Sequence, residues 1–416
     1  MAAARAGAAA VLAERAVPGV PTVVVPDVVP ALGRVAHAWL GRLRASGPTR
    51  VVAVTGSSGK TTTKDLLAAV LARSGPTVAP PGSYNNELGV PLTVLSAPTG
   101  TAHLVLEMGA RGGGHIAELT RVARPDVAVV LNVGTAHVGE FGSRERTAQA
   151  KGELVEALPA DGVAVLAADD PLVLAMASRT TARVVTFGTA AGAQVRAEDV
   201  RLDGGRARFV LHDPDGGTAQ VALRLVGAHQ VGNALAAGTV GLVAGLPVDV
   251  VADALSTAEP ASRWRMELTT RADGTTVLND AYNANPDSAR AALEALVAVA
   301  DGRRTWAVLG EMLELGESAD DEHETLGRLA AAMGVDRLVV VGPGARPAHA
   351  GASLTPAWTG ESVAVQDVDA AVALLLAQLR PGDVVLVKAS RGAGLERVAT
   401  ALLATPGAAE HEEPSS

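Results

Sequence analysis

The chain contains no cysteine and few aromatic residues, and these absences restrict its chemistry. Without cysteine it has no disulfide, no thiolate metal site and no thiol nucleophile. Aromatic residues make up 2% of its 416 residues and the formal net charge is -9, so it offers neither a basic surface nor many rings to stack on bases. We therefore expect no nucleic-acid partner, whereas a nucleotide ligand stays open.

The sequence also lacks an apolar segment suited to a signal peptide or a membrane span. The apolar run at residues 6–13 is interrupted by Glu14 and Arg15, and no cleavage pattern follows. Residues 225–248 are free of charge, but they contain three polar side chains of His, Gln and Asn and five glycines. This segment predicts a buried helix of small residues and no membrane insertion. We expect a cytoplasmic protein.

Two residue types are scarce, and their positions are informative. Of the 35 basic residues only four are lysine, at positions 60, 64, 151 and 388. Because arginine serves elsewhere as the solvated charge, we expect each lysine where a compact, titratable amine is required. Asparagine occurs only at 85, 86, 132, 233, 279, 283 and 285, near predicted strand ends or turns. Turn formation and helix capping are the alternative explanation for any one of these asparagines.

The length predicts two or three domains, and the strand pattern predicts an α/β fold. From Val51 onward short β-branched runs alternate with helical patterns, as in a parallel sheet covered on both faces. The runs at 51–54, 103–106, 127–131 and 163–166 end at or shortly before polar residues. Because open α/β sheets bind ligands beyond the carboxyl ends of their strands, these polar residues should share one crevice.

The same pattern restarts after Pro260 and predicts a second doubly wound domain, with strands at 276–278, 306–309, 338–341 and 384–387. Residues 190–226 predict an antiparallel edge of the first sheet. Residues 1–45 predict a helix, a strand at 22–25 and a helix at 28–43, too little to fold alone. The residues after Pro406 are expected to be disordered.

The strongest motif follows the strand at 51–54. A glycine-rich turn there leads into a helix, which is the context of a phosphate-binding loop. Backbone N–H groups at the helix start would bind phosphate, Lys60 would reach the terminal phosphates, and Thr61 could bind magnesium. The predicted cofactor-binding residues of this loop are Gly56, Ser57, Ser58, Gly59, Lys60, Thr61 and Thr62.

Valine stands at position 54, where the general phosphate-loop pattern has another glycine. The shorter pattern that remains, Gly-x-x-Gly-Lys-Thr-Thr at 56–62, resembles the Mur ligases and their relatives, the folylpolyglutamate synthases. Further segments resemble that family in order, at residues 84–91, 107–109, 132–142, 150–153, 227–233, 280–286, 310–316 and 388–391. The Tyr-Asn-Ala-Asn-Pro and Glu-Met-x-Glu-Leu-Gly sequences within 280–286 and 310–316 resemble the type that adds D-alanyl-D-alanine.

The resemblance implies a three-part α/β architecture. Its parts are a remnant of an N-terminal UDP-precursor-binding domain at 1–46, a central P-loop ATPase-like domain at 47–260 and a C-terminal Rossmann-like ligase domain at 261–405. A disordered tail at 406–416 follows them. The first part of the N-terminal domain has no counterpart in the sequence. We expect a misplaced start codon to be the reason.

The resemblance also implies roles for individual residues. Glu107 and His137 follow strands and would bind magnesium together with Thr61, while Lys151 would be carbamylated and hold a second magnesium. From spacing alone, Lys151 also fits a solvated surface charge. The ATP-binding residues implied are Asn233, Tyr282 and Asn283, of which Tyr282 and Asn283 would hold adenine and ribose. Arg265 would reach the ATP phosphate, with Arg263 as the alternative arginine. The substrate residues predicted for the same cleft are Asn85, Asn86, Asn132, Lys388, Ser390 and Arg391.

The implied activity is ATP-dependent amide-bond formation in peptidoglycan synthesis. ATP would convert the carboxylate of UDP-N-acetylmuramoyl-tripeptide to an acyl phosphate, and the amine of D-alanyl-D-alanine would displace phosphate. The catalytic residues would be Lys60, His137, Lys151 and Arg265, in a monomer that uses ATP and two Mg²⁺ ions. Two alternatives stay open: a non-catalytic ATP-binding homologue, if the N-terminus is truly shortened, and another amide ligase, either a folylpolyglutamate synthase or an amino-acid-adding Mur ligase.

Overall fold

The computed structural model describes residues 6–134 and 143–404, beginning with a small two-stranded sheet. Strand β1 (Val11–Ala13) pairs in parallel with β2 (Thr22–Val24), and helix α1 (Val28–Ser46) follows. The Asp27 carboxylate accepts a hydrogen bond from the Val29 N–H and so starts the helix. The predicted strand and second helix are confirmed. The predicted first helix is wrong in the described part, because pairing with β2 overrides the local helix preference of the alanine-rich run.

A nine-stranded sheet forms the centre of the chain, with strand order β11-β10-β9-β8-β7-β6-β3-β5-β4. The strands from β4 to β9 run parallel, and β10 and β11 add the predicted antiparallel edge. Its strands are β3 (Arg50–Thr55), β4 (Thr77–Val78), β5 (His103–Glu107), β6 (Val127–Val130), β7 (Val163–Ala167), β8 (Arg183–Gly188), β9 (Val195–Asp203), β10 (Arg206–His212) and β11 (Thr218–Val226).

Helices pack against this sheet and complete its core. They are α2 (Lys60–Leu71), α3 (Gly89–Ser96), α4 (His115–Val122), α5 (Arg144–Glu156), α6 (Pro171–Leu174), α7 (Gln230–Val243) and α8 (Val248–Thr257), with a 3-10 turn at Ala175–Arg179. The helix predicted for residues 225–248 is buried but shorter than expected. Strand β11 still occupies residues 225–226, and Gly227 then adopts a φ of 110°, which separates strand from helix.

The strand order brings three loops to one place. Strand β3 lies between β5 and β6, although β5 and β6 follow it in the sequence. The chain therefore reverses its direction of winding at β3, and a crevice opens beyond the carboxyl ends of these strands. The phosphate loop, Glu107 and Asn132 all lie at this edge.

A second, six-stranded sheet has the order β12-β13-β17-β14-β15-β16, in which only β12 is antiparallel. Its strands are β12 (Glu267–Thr270), β13 (Thr276–Asp280), β14 (Thr305–Leu309), β15 (Arg337–Val341), β16 (Glu361–Val365) and β17 (Val384–Lys388). Its helices are α9 (Pro286–Ala300), α10 (Ala319–Ala332), α11 (Arg346–Ser353), α12 (Val368–Gln378) and α13 (Glu396–Ala404), with 3-10 turns at Gly316–Ser318 and Arg391–Ala393.

Both faces of the second sheet are covered. Leu278 and Leu386 point into one core, whereas the neighbouring Val277 and Val385 point into another on the opposite face. The predicted doubly wound α/β class is confirmed. Across residues 6–134 and 143–404, no helix combines the length and apolarity needed to cross a bilayer. The tail predicted to be disordered at 406–416 lies outside the described residues.

Candidate active site

A cavity of 820 Å³ lies where the carboxyl ends of the two sheets face each other. This volume is in the range of ligand pockets, roughly 300–1,000 Å³. Except for Gly56, His137 and Ser390, every predicted site residue lines the cavity. His137 lies outside the described residues, and Gly56 and Ser390 stand behind the cavity wall. The sequence pattern therefore located one common site from segments spread over more than 300 positions.

The phosphate loop depends on glycine at its last turn. Gly59 has a φ of 80° and directly precedes helix α2, which begins at Lys60. A Cβ atom at position 59 would lie 2.3 Å from Oδ1 of Asn233, so the close approach of helix α7 also requires glycine. That Oδ1 accepts a hydrogen bond from the Thr63 hydroxyl at 3.2 Å, and Nδ2 of Asn233 donates to Gln230 at 2.8 Å. Asn233 thus connects α7 to the loop.

Asn132 braces the first turn of the loop. Its Oδ1 accepts hydrogen bonds from the N–H groups of Ser57 at 2.9 Å and Ser58 at 3.0 Å, and its Nδ2 donates to the Ser58 carbonyl at 3.3 Å. The Ser57 hydroxyl in turn accepts from the N–H of Gly134 at 2.9 Å. In this structure the amide of Asn132 therefore holds the loop; contact with substrate stays a prediction.

Lys60 folds back over the loop that precedes it. Its Nζ donates to the carbonyls of Gly56 at 2.7 Å and Ser57 at 3.4 Å. Burial lowers the pKa of Lys60, the nearby Glu107 carboxylate opposes that shift, and the Arg265 guanidinium adds to it. The amine lies directly beside the backbone that would hold phosphate.

Oxygen ligands suited to magnesium cluster beside Lys60. The Thr61 hydroxyl donates to Oε2 of Glu107 at 2.9 Å and lies 2.6 Å from the Ser83 hydroxyl. Oε1 of Glu107 accepts from Nδ2 of Asn85 at 2.7 Å, so Asn85 orients the carboxylate. A hydroxyl and a carboxylate side by side fit a hard cation such as Mg²⁺. Outside residues 1–5, 135–142 and 405–416, no three His, Asp or Glu side chains form a metal-binding group by themselves.

Lys151 is buried in the cavity wall. It lies on helix α5 and is 2% exposed, so the alternative of a solvated surface charge is wrong. Burial, followed by the charge of Lys60, holds the pKa of Lys151 well below its ordinary value. An uncharged amine can act as a nucleophile, which an ammonium cannot.

The C-terminal part contributes arginine, tyrosine and lysine to the opposite wall. Nη2 of Arg265 donates to the hydroxyls of Thr61 at 3.0 Å and Ser83 at 2.9 Å. The same guanidinium lies 4.1 Å from the ring centre of Tyr282, and that of Arg391 lies 5.5 Å from it. Arg265 therefore bridges the two walls. Arg263, the alternative, does not line the cavity.

Lys388 forms a buried ion pair at the carboxyl ends of β13 and β17. Its Nζ donates to Oδ2 of Asp280 at 2.5 Å and to the Asn283 carbonyl at 2.7 Å. Burial lowers the pKa of Lys388, and Asp280 opposes this shift. The Asn283 side chain itself stays exposed to the cavity.

Ser390 supports a loop from behind the cavity. Its hydroxyl accepts from the N–H of Leu313 at 3.0 Å and donates to the Ala284 carbonyl at 3.3 Å. The adjacent Met312 N–H donates to Nε2 of buried His323 at 2.8 Å. The loop thus presents Glu314, which has a φ of 66°, to the cavity.

The Asn86 side chain closes the turn that leads into helix α3. Its Oδ1 accepts from the N–H groups of Leu88 at 3.3 Å and Gly89 at 2.9 Å, at the start of α3. This is the turn-forming alternative that the sequence left open. A substrate contact from the same residue stays a prediction.

Two residues that line the cavity, Ser83 and Asp170, were given no individual role from the sequence. Ser83 joins the Thr61 and Arg265 network, and its only signal was that it precedes the segment at 84–91. Oδ2 of Asp170 accepts from the Val133 N–H at 2.7 Å and thereby fixes the loop that follows β6. Because Asp170 lies shortly after β7, the strand-end argument already marked its position.

Comparisons with known proteins find similarity to one family over most of the chain. The model of the Mur ligase middle domain matches residues 54–241, and that of the Mur ligase, glutamate ligase domain matches residues 264–391. The UDP-N-acetylmuramoyl-tripeptide--D-alanyl-D-alanine ligase of Mycobacterium tuberculosis is 53% identical, over 96% of this chain and 85% of that relative.

Solved structures resemble the chain equally broadly. A crystal structure of MurF from Acinetobacter baumannii is similar with a TM-score of 0.85 and 32% identity, over 95% of this chain and 84% of that one. MurF from Thermotoga maritima, solved in complex with ADP, gives a TM-score of 0.82 at 32% identity, over 96% of this chain and 89% of that one.

Proposed function

We infer the reaction from one premise: this chain belongs to the Mur ligase family. It is an ATP-dependent ligase that joins D-alanyl-D-alanine to UDP-N-acetylmuramoyl-tripeptide in peptidoglycan synthesis. The observation that carries this conclusion is the cavity in which a complete phosphate loop faces Arg265 and Lys388 of the C-terminal part. Small-molecule substrates would thus be brought together between the two sheets.

The chemistry follows from the need to activate a carboxylate in water. The terminal carboxylate of the tripeptide attacks the γ-phosphorus of ATP, so that an acyl phosphate forms and ADP leaves. The amine nitrogen of D-alanyl-D-alanine then attacks the acyl carbon, loses a proton, and phosphate leaves. Lys60 and Arg265, which both line the cavity, would neutralise the charge of the transferred phosphoryl group.

Magnesium fits the oxygen ligands beside the loop. Thr61 and Glu107 would hold one ion, and His137 would join them. The metal would supply charge neutralisation for the phosphates. Among the described residues, we assign only the Thr61 and Glu107 side chains as magnesium ligands. Coordination positions are therefore left for a further anionic ligand from the chain.

Lys151 is our choice for that further ligand, as a carbamate that helps hold a second Mg²⁺. Its enclosed amine would otherwise bring another positive charge toward Lys60. Reaction of the uncharged amine with carbon dioxide forms an N–C bond and releases one proton, which turns the side chain into an anionic oxygen donor. Arginine cannot undergo this exchange.

The carbamate can be observed directly. Isotopically labelled bicarbonate should give one carbamate signal in the NMR spectrum of the wild-type protein with ADP and magnesium. The signal should be absent from Lys151→Arg and present in Lys64→Arg, a matched replacement of another buried lysine. A wild-type spectrum without a carbamate signal would rule the modification out.

The remaining assignments concern the substrates. We place ATP across the loop residues 56–62, Asn233, Tyr282 and Asn283, and the UDP-precursor and dipeptide beside Asn85, Asn132 and Arg391. A monomer suffices for this arrangement, because one chain supplies both walls of the cavity. The use of ATP and a UDP-linked precursor favours the cytoplasm as the location. Domain boundaries at 46/47 and 260/261 remain our assignment.

The reaction is tested by measuring ADP release. With UDP-N-acetylmuramoyl-tripeptide and ATP present, ADP should accumulate only when D-alanyl-D-alanine is added. Single amino acids, glutamate and diaminopimelate included, should give no comparable rate, which separates this activity from the other amide ligases. Equal ADP release without any amine would contradict ligation.

A further inference from the structure

Lys151 lies on helix α5, and the two residues that follow it contact other parts of the chain on different sides of this helix. Residues 151, 152 and 153 project about 100° apart around the helix axis. Lys151 faces the cavity, Gly152 faces an arginine from the 3-10 turn at Ala175–Arg179, and Glu153 faces the start of helix α4. Each side of this short segment therefore has a different partner.

Arg179 lies flat against the middle of α5. Its Nη1 donates to the Ala148 carbonyl at 3.1 Å and its Nη2 to the Gln149 carbonyl at 2.9 Å. Its Nε donates to Oε1 of Glu156 at 2.9 Å. These acceptors are spread over two turns of the helix, on both sides of Lys151 in sequence. The planar guanidinium suits such paired contacts better than a lysine ammonium would.

The guanidinium fits because position 152 has no side chain. A Cβ atom there would lie 1.8 Å from Nη1 and 2.1 Å from Cζ of Arg179. Gly152 has no left-handed φ, so its backbone conformation does not require glycine. A glycine inside a helix lowers the stability of the helix by about 1 kcal/mol relative to alanine. The space that Arg179 occupies explains why glycine stands at position 152 despite this cost.

Glu153 ties the same helix to the other side of the site. Its Oε1 accepts from the N–H of Gly114 at 2.6 Å and its Oε2 from the N–H of Ala117 at 3.0 Å. These N–H groups begin helix α4, which follows the strand that ends at Glu107. Glu153 thus fixes α5 relative to the segment that carries the predicted magnesium ligand.

We propose that Arg179 is a positioning residue for the ligase reaction: it holds helix α5 so that the Lys151 side chain keeps its position relative to Glu107 and Thr61. Position 152 is glycine because a side chain there would displace the Arg179 guanidinium. This inference rests on the proposed role of Lys151. Arg179 does not line the cavity and touches no reacting group. A displacement of about 1 Å at a catalytic group can reduce a rate on the order of a hundredfold, so a small shift of α5 is enough.

The test compares Gly152→Ala, Arg179→Ala and the double variant. Each single change displaces the guanidinium, so each should lower kcat at least about tenfold while the KM for ATP and the affinity for ADP stay within about threefold of wild type. Because both changes remove the same contact, the double variant should be no slower than the slower single variant, within about twofold. Arg179→Lys, which cannot reach both carbonyls, is the second variant and should lose at least about threefold in kcat.

Two matched control variants test whether the loss of rate is specific to the contact between Gly152 and Arg179. Gly41→Ala changes a helical glycine with open space around it, and Arg124→Ala removes an arginine that donates to the Ala157 carbonyl at the end of the same helix. Both should keep kcat within about twofold of wild type.

Three results would overturn the inference. They are a kcat for Arg179→Ala within about twofold of wild type, losses in the two single variants that multiply in the double variant, and a loss of rate that only follows a parallel loss of Tm and ADP binding. None of these affects the proposed reaction, which fails instead if the wild-type protein releases no ADP in response to D-alanyl-D-alanine.

Discussion

Replacing Asn132 by alanine should weaken nucleotide binding without any direct contact to the nucleotide. The Ser58 N–H would lose the Oδ1 acceptor at 3.0 Å, and the Ser58 carbonyl would lose the longer bond from Nδ2 at 3.3 Å. The Ser57 N–H loses less, because it also donates to the Asn132 backbone carbonyl at 3.1 Å. At about 1 kcal/mol for each net hydrogen bond, the loop loses about 2 kcal/mol of stabilisation in its binding conformation.

That loss should appear as reduced affinity for ADP. A change of about 2 kcal/mol corresponds to about thirtyfold in the dissociation constant. Isothermal titration calorimetry with ADP and magnesium measures it, and thermal unfolding of the unliganded protein shows whether the fold is retained. Asn86→Ala is the matched control, because that amide also accepts two backbone N–H groups but lies outside the phosphate loop.

The two variants should therefore differ in ADP affinity even though each loses an asparagine that accepts two N–H groups. If Asn132→Ala binds ADP within about threefold of wild type, the loop keeps its shape without the amide and the bracing argument is refuted. Equal weakening in Asn86→Ala would point to a general loss of stability instead.

Further predictions concern the charged residues. Lys60→Ala should reduce turnover below about a tenth of wild type with an unchanged Tm, since it removes a phosphate contact and no core packing; higher activity would argue against the phosphate-loop assignment. Glu107→Ala and His137→Ala should raise the magnesium concentration for half-maximal rate, and parent-like curves for both would place the metal elsewhere. Lys151→Ala should be nearly inactive and partly rescued by acetate, whereas Lys151→Arg should stay inactive at every acetate concentration; near-normal turnover of Lys151→Arg would exclude the carbamate. Because the pKa of Lys151 in the folded protein lies well below 10.5, the unfolded chain binds more protons between these two values and stability rises with pH in that window. In carbonate-free buffer, the Tm of Lys151→Met should accordingly rise less than that of wild type from about pH 8 to about pH 10, and equal slopes would contradict the lowered pKa of the buried Lys151 amine.

Local sequence was sufficient for the parts of the site that follow directly from strand ends. The phosphate loop, Glu107 and Asn132 each come after a buried run, and parallel strands place such positions at one edge. The scarcity of lysine was equally informative: Lys64, Lys151 and Lys388 are all buried in the structure.

Long-range contacts account for what the sequence did not reveal. The first helix was predicted wrongly because Val11–Ala13 is defined by pairing with Thr22–Val24, a tertiary contact that overrides local propensity. Arg179 was not recognised because its partners lie about 30 positions earlier and only the folded chain shows that they surround Gly152. Ser83 had no pattern of its own.

The arginine-rich composition has a practical consequence for covalent labelling. Of the four side-chain amines, those of Lys64, Lys151 and Lys388 belong to residues no more than 3% exposed, so an amine-directed acylating reagent reaches them only after the protein opens. Lys60 is only partly buried and faces the cavity, and burial lowers its pKa, which increases its share of reactive free base. Under mild conditions, an acylating reagent would therefore react with Lys60 in preference to the other three lysine side chains. The mass increment at this one lysine would then serve as an intrinsic reporter of whether the phosphate loop is filled.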